Sequence, residues 1–129
     1  MSFSVQAFRH EQSNQRLSQH FKASEFRCKD GAVWWFVAPE LVELLEKIRA
    51  ELGAIPLVVI SGYRTPSHNK REGGSPTSFH MGGLAADFYA AGVAPGRLAQ
   101  VARAVGAGGV GTYSSFVHVD IWERRDWVR

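Results

Sequence analysis

Between Pro39 and Leu52 the apolar residues Leu41, Leu44, Leu45, Ile48 and Leu52 recur at helical spacing and fall on one face. Pro39 suits a first turn and Gly53 follows as a stop, so the pattern predicts an amphipathic helix over Pro39 to Leu52. A second helix is predicted from Pro95 to Val105, with Leu98, Val101, Ala102 and Val105 inward. Leu57 to Ile60 is a short β-branched run between Pro56 and Gly62, which predicts a buried strand that delivers Ser61 to Arg64 at its end. Pro66 to Arg71 reads as a short helix and Gly73-Gly74-Ser75-Pro76 as a loop, while Leu84 to Tyr89 and Phe116 to Trp122 read as strands. The polar first stretch, residues 1–16, is expected to be a loose arm ahead of a single domain over 17–129. Helices and strands mix without a regular βαβ alternation. The fold expected is therefore α+β: one compact domain with a small, mainly antiparallel sheet and helices packed on it.

Strand parity places chemistry on that sheet. Val117, Val119 and Ile121 make one face apolar, so His118 and Asp120 project together from the other. Leu84, Ala86 and Phe88 likewise send Asp87 away from the core. If the two strands are neighbours, Asp87 and His118 converge on one point, and His80 joins them only if the chain bends at Gly82-Gly83. Two imidazoles and one carboxylate suit zinc, and three protein ligands leave a position open for water or substrate, as catalytic sites do.

Composition narrows the surroundings. A chain of 129 residues with 45% hydrophobic and 21% charged positions fits one domain with a real core. The formal charge of +3 is scattered, with no basic run interleaved with aromatics, so no nucleic-acid surface is expected. An anionic partner such as a bacterial cell wall is compatible with it. The apolar runs at Val33 to Ala38 and Ile55 to Ile60 are too short to span a bilayer, and the first nineteen residues lack the apolar stretch of a signal peptide, so the chain is expected to be cytoplasmic as synthesised. The single cysteine, Cys28, excludes an internal disulfide and reads as a small packed side chain. His10, His20 and His68 have no partner spacing that supports ligation; Tyr63 and Tyr113 offer hydroxyl donors, but packing is the simpler reading of each.

The chain resembles the zinc D-Ala-D-Ala carboxypeptidase family of bacterial and phage peptidoglycan peptidases, whose fold is shared with the hedgehog signalling domain. The segments that carry the resemblance are Leu17 to Phe21 with Glu25 to Cys28, Ser61-Gly62-Tyr63-Arg64-Thr65, Ser78 to Asp87, and Gly109-Val110-Gly111 leading to Phe116-Val117-His118-Val119-Asp120. It implies zinc ligation by His80, Asp87 and His118, a substrate role for Arg64, and a part for Ser78 in holding the peptide. The implied activity is hydrolysis of a peptidoglycan stem peptide by zinc-activated water, as a carboxypeptidase or a related endopeptidase. The guanidinium of Arg64 suits a terminal carboxylate or a developing oxyanion.

In many relatives an acidic residue is expected shortly before the last zinc ligand, where this chain has Ser114 and Ser115. Asp120 is the nearest replacement as general base, and it serves equally well as a partner orienting His118 or Arg64. Glu123 is more remote and is directed to the other face. The alternative function is a zinc-containing peptidoglycan-binding module that has lost catalysis. A prophage-type lysis enzyme, reaching the wall once the membrane is breached, would fit a chain without a signal.

Overall fold

In the computed structural model, which describes residues 2–129, Pro39 opens helix α1 (Pro39–Glu51) after the extended Ala38. Leu41, Val42, Leu44, Leu45 and Ile48 form its buried stripe. Before it come strands β1 (Gln6–Arg9) and β2 (Trp34–Val37), which pair as an antiparallel ribbon with Phe8 opposite Trp35. After it follow β3 (Val58–Ser61), helix α2 (Pro66–Arg71), β4 (Ala85–Tyr89), helix α3 (Pro95–Ala104), β5 (Gly109–Thr112), β6 (Val117–Asp120) and β7 (Arg125–Val128).

The main sheet has the order β3-β4-β6-β5-β7, antiparallel throughout except for the parallel pair β5–β7. Helix α3 packs on β5 and β6 and against α1. Ala86 and Phe88 of β4 and Val117 and Val119 of β6 join Leu41, Leu45, Ile48 and Leu98 in one hydrophobic cluster. That sheet face is closed by helices, and burial of this apolar surface is the main stabilising contribution. The α+β class and the mainly antiparallel sheet agree with expectation.

The loose arm does not appear from Gln6 onward. Met1 lies outside the described residues, but Phe8 is 2% exposed and stacks on Trp35 at 6.5 Å between ring centroids. One aromatic in a polar stretch is enough to anchor the strand once β2 supplies its backbone partners. Trp35 is fully buried, with its indole N–H donated to the Ala23 carbonyl.

Two glycines shape the approach to the polar sheet face. Phe79–Gly82 is a 3-10 turn capped by the Ser78 hydroxyl, which accepts from the His80 N–H. Gly83 then takes φ +74, and a Cβ there would lie 2.5 Å from the Phe36 carbonyl oxygen. Only glycine turns the chain so tightly against β2, and the turn returns His80 to β4. At Gly111 a Cβ would come within 2.5 Å of the Trp127 ring, so the missing side chain makes a seat for that indole.

Candidate metal centre and cleft

β4 and β6 pair with Asp87 directly opposite His118, on the face away from the helices. The Gly83 turn brings His80 to the same point. His80 Nε2 and His118 Nδ1 both face Asp87 Oδ1, at 3.1 and 3.0 Å. All three residues are buried. Among the described residues this is the group of His, Cys, Asp or Glu side chains whose ligand atoms cluster closely enough to hold a metal ion.

The far side of each imidazole fixes its tautomer. His80 Nδ1 lies 2.7 Å from the Gly62 carbonyl oxygen, which can only accept, so Nδ1 carries the proton and Nε2 keeps a lone pair. His118 Nε2 lies 2.9 Å from Asp120 Oδ2, which makes Nε2 the donor and leaves Nδ1 with its lone pair. Two neutral imidazoles thus aim lone pairs at one carboxylate oxygen. That arrangement is repulsive unless positive charge stands between them, and a divalent cation of the borderline kind fits the donor set.

When no cation stands at that point, N–H groups of the two imidazoles face Asp87 instead: burial pushes its carboxyl up, but hydrogen bonds from His118 and His80 outweigh it and hold the group below the usual carboxylate range. Burial likewise works against the charged form of His118, yet Asp120 and Asp87 leave its pKa raised. The Asp120 carboxyl is pushed up by burial and brought down further by His118 and Arg125.

Asp120 does not face open solvent. It is fully buried, and Oδ1 accepts from the backbone N–H groups of Gly109 (3.0 Å) and Trp122 (3.1 Å). Its Oδ2 takes His118 Nε2 and Arg125 Nη2, the latter at 2.6 Å. A Cβ at Gly109 would run into this carboxylate. Asp120 therefore sits behind His118, on the side of the ring away from Asp87, and is absent from the lining of the cleft. Glu123 is exposed and also lies off the lining.

The cleft encloses about 510 Å³ and takes His80, Asp87 and His118 into its lining. Arg64 also lines it, with much of its fork engaged internally. Nη2 donates to Asp87 Oδ2 (3.1 Å), Nε to Ser61 Oγ (3.0 Å) and Nη1 to Asn69 Oδ1 (3.3 Å). Asn69 is 2% exposed, and its amide nitrogen donates to the Ser75 carbonyl, so one buried amide ties Arg64 to the loop that carries Ser78. Ser78 lines the cleft while its oxygen caps the 3-10 turn.

His10, His20 and His68 lie elsewhere, beside Arg27, Glu46 and Glu72 respectively. Cys28 is buried. Among the cleft residues that sequence reasoning missed are Phe116, Arg125, Trp127, Arg129 and Glu72, and Tyr113, read there as packing, also lines the cleft. The one available signal was Gly111, a glycine inside a strand, which marks close approach by another group.

A buried His–Asp–His group on the polar face of an antiparallel sheet, open to a cleft, defines an α+β domain of the metallopeptidase type. The chain belongs to the peptidase M15 family, whose sequence profile matches residues 19–120 and so takes in all three side chains. This agrees with the resemblance carried by the motifs. A relative from Haemophilus influenzae, named "Probable peptidoglycan L,D-endopeptidase MepK", is 36% identical over 98 residues, covering 69% of this chain. The chain spans about half (53%) of that relative's length.

Proposed function

We propose that this chain is a zinc-dependent peptidase acting on the stem peptides of peptidoglycan, as an endopeptidase. The observation that carries the reading is the convergence of two imidazole lone pairs and Asp87 Oδ1 on one point of the cleft. His80, Asp87 and His118 would hold the metal, which when bound supplies a water activated near neutral pH and polarises the scissile carbonyl.

The chain's own groups do the rest. Gly62 and Asp120 fix the two imidazoles from behind, and Arg125 fixes Asp120 in turn. Ser78 and the remaining N–H groups of Arg64 orient the peptide. Arg64, Arg125 and Arg129 all line the cleft, which favours a substrate that carries carboxylates. Endopeptidase action is supported over release of a terminal residue because three of the five Arg64 N–H groups are already engaged by Asp87, Ser61 and Asn69, which leaves the fork less free to grip a terminal carboxylate. The relative's name points the same way.

The test is incubation of zinc-loaded protein with purified muropeptides, with products identified by mass. Cleavage inside the stem or cross-link is expected, and His118→Ala should abolish it. Release of terminal alanine alone would replace the endopeptidase reading with a carboxypeptidase. A second reading, a metal-centred binding module, draws on one observation: with Asp120 turned away, Glu72 on the exposed rim is the one cleft-lining carboxylate besides Asp87 among the described residues. Tight muropeptide binding without any product would establish that reading.

A further inference from the structure

Part of the cleft lining is aromatic and is held together by one directional hydrogen bond. Tyr113 opens the β5–β6 connection, where its N–H donates to the Phe116 carbonyl at 3.0 Å. Its ring stacks on Phe116 with centroids 4.5 Å apart and planes 8° from parallel. Trp127 Nε1 approaches Tyr113 Oη at 3.0 Å, and the indole in turn leans on the His118 ring, 5.1 Å between centroids. Tyr113, Phe116 and Trp127 all line the cleft.

An indole N–H only donates, so the phenol oxygen must accept. The hydroxyl proton of Tyr113 is therefore committed to some other acceptor, and the described residues provide none. Tyr113 is half-buried, with its ring fixed by the stack and its oxygen by the indole. Gly111 completes the support, because any side chain there would displace the indole. A rigid O–H donor without an internal acceptor thus lines the same cleft as His118, one hydrogen bond from the ring that leans on it.

We propose that Tyr113 is a catalytic hydrogen-bond donor to the scissile carbonyl oxygen, and that Trp127 is the positioning residue that aims it. The proposal rests on the peptidase reading above. As water adds to the carbonyl carbon, negative charge gathers on the oxygen, and the phenol donates a hydrogen bond to it. The C–N bond then breaks and the amine leaves with a proton derived from water. Tyr113 forms no covalent bond and keeps its proton.

The experiment uses the full chain loaded with zinc. Tyr113→Phe retains the stack on Phe116 and removes only the hydroxyl. Its kcat on muropeptide is expected to fall about 10²-fold, the scale for loss of one oxyanion donor, with KM changed less than twofold and zinc content unchanged. Trp127→Phe should lower kcat about tenfold by freeing the hydroxyl. A Tyr113→Phe enzyme within twofold of the parent kcat overturns the assignment.

A second readout does not depend on turnover. Affinity for a phosphinate peptide, which carries tetrahedral anionic oxygens, is compared with affinity for the matched ordinary peptide. Tyr113→Phe should weaken phosphinate binding tenfold or more and leave peptide binding unchanged. Equal effects on both ligands, or none on either, overturn the donor role. If the parent protein cleaves no muropeptide, the peptidase reading fails by itself and this binding comparison alone decides the role of Tyr113.

Discussion

Asp120 has no exposed surface, and four donors already surround its two oxygens. A proton acceptor for an attacking water needs a free lone pair within reach of that water. Asp120 lacks one, and its contact with His118 Nε2 is the arrangement that raises ligand basicity and fixes ring orientation. Asp120→Asn is accordingly expected to weaken zinc binding about 10- to 100-fold, measured by competition with a chelator of known affinity. Were Asp120 the base, zinc affinity would stay at the parent value while turnover vanished. A second residue-scale prediction concerns Gly83, where positive φ and the Phe36 carbonyl both exclude a side chain. Gly83→Ala should cost on the order of 3 kcal/mol in chemical denaturation, combining backbone strain with a steric contact that β2 cannot relieve. A midpoint equal to the parent's would show that the turn is softer than its geometry implies.

At the level of elements, α1 also anchors the segment before it. Glu46 accepts from the Ser18 hydroxyl (2.5 Å) and the His20 N–H (2.8 Å), and its other oxygen faces His20 Nδ1 at 2.7 Å. Burial pushes the Glu46 carboxyl up, but these hydrogen bonds leave it below its ordinary value of 4.5. A carboxyl lowered by folding adds stability that is fully present above its unfolded pKa and is lost as pH falls through the folded value. Glu46→Gln should therefore destabilise by about 1 to 2 kcal/mol at pH 7. The gap between variant and parent should shrink as pH drops below about 4.5, and a gap independent of pH would mean that the charge on Glu46 does not matter. The same scale shows what the sequence made legible. Both long helices and α2 lie within a residue of their predicted bounds, because periodicity and the prolines at their first turns act locally. β4 and β6 were legible from parity, and with them the Asp87–His118 pairing. β5 was not, since two glycines in Gly109-Val110-Gly111-Thr112 leave no periodic pattern, and the space beside them is filled only when Trp127 and Asp120 are in place. β7 reads Arg-Asp-Trp-Val, four positions with no polar–apolar alternation, and its parallel pairing with β5 is a tertiary fact. The aromatic lining was hidden for the same reason: Tyr113 and Trp127 meet only after β5 and β7 do.

Across the whole molecule, the core and the candidate metal centre occupy opposite faces of one sheet. Phe88, Leu41, Leu45, Ile48 and Leu98 belong to the buried hydrophobic cluster, and none of them lines the cleft that takes in His80, Asp87 and His118. β4 and β6 are joined by backbone pairing from Ala85–Asp120 to Phe88–Val117, so Asp87 and His118 stay opposite each other without help from an ion. A fold built this way should not need its metal, unlike small zinc domains whose folding energy is metal binding. Chelator-treated protein is expected to keep its far-UV circular dichroism and to unfold cooperatively above room temperature. Zinc at a thousand times its Kd should then add about 4 kcal/mol by mass action, because it binds the assembled centre and not the unfolded chain. For a chain of this length that corresponds to a rise in Tm of roughly 10–15 °C. His118→Ala should keep the fold and lose the zinc-dependent rise. Unfolding on chelation would assign the ion a structural role instead, and a rise that persists in His118→Ala would place the ion somewhere other than the His80, Asp87 and His118 group.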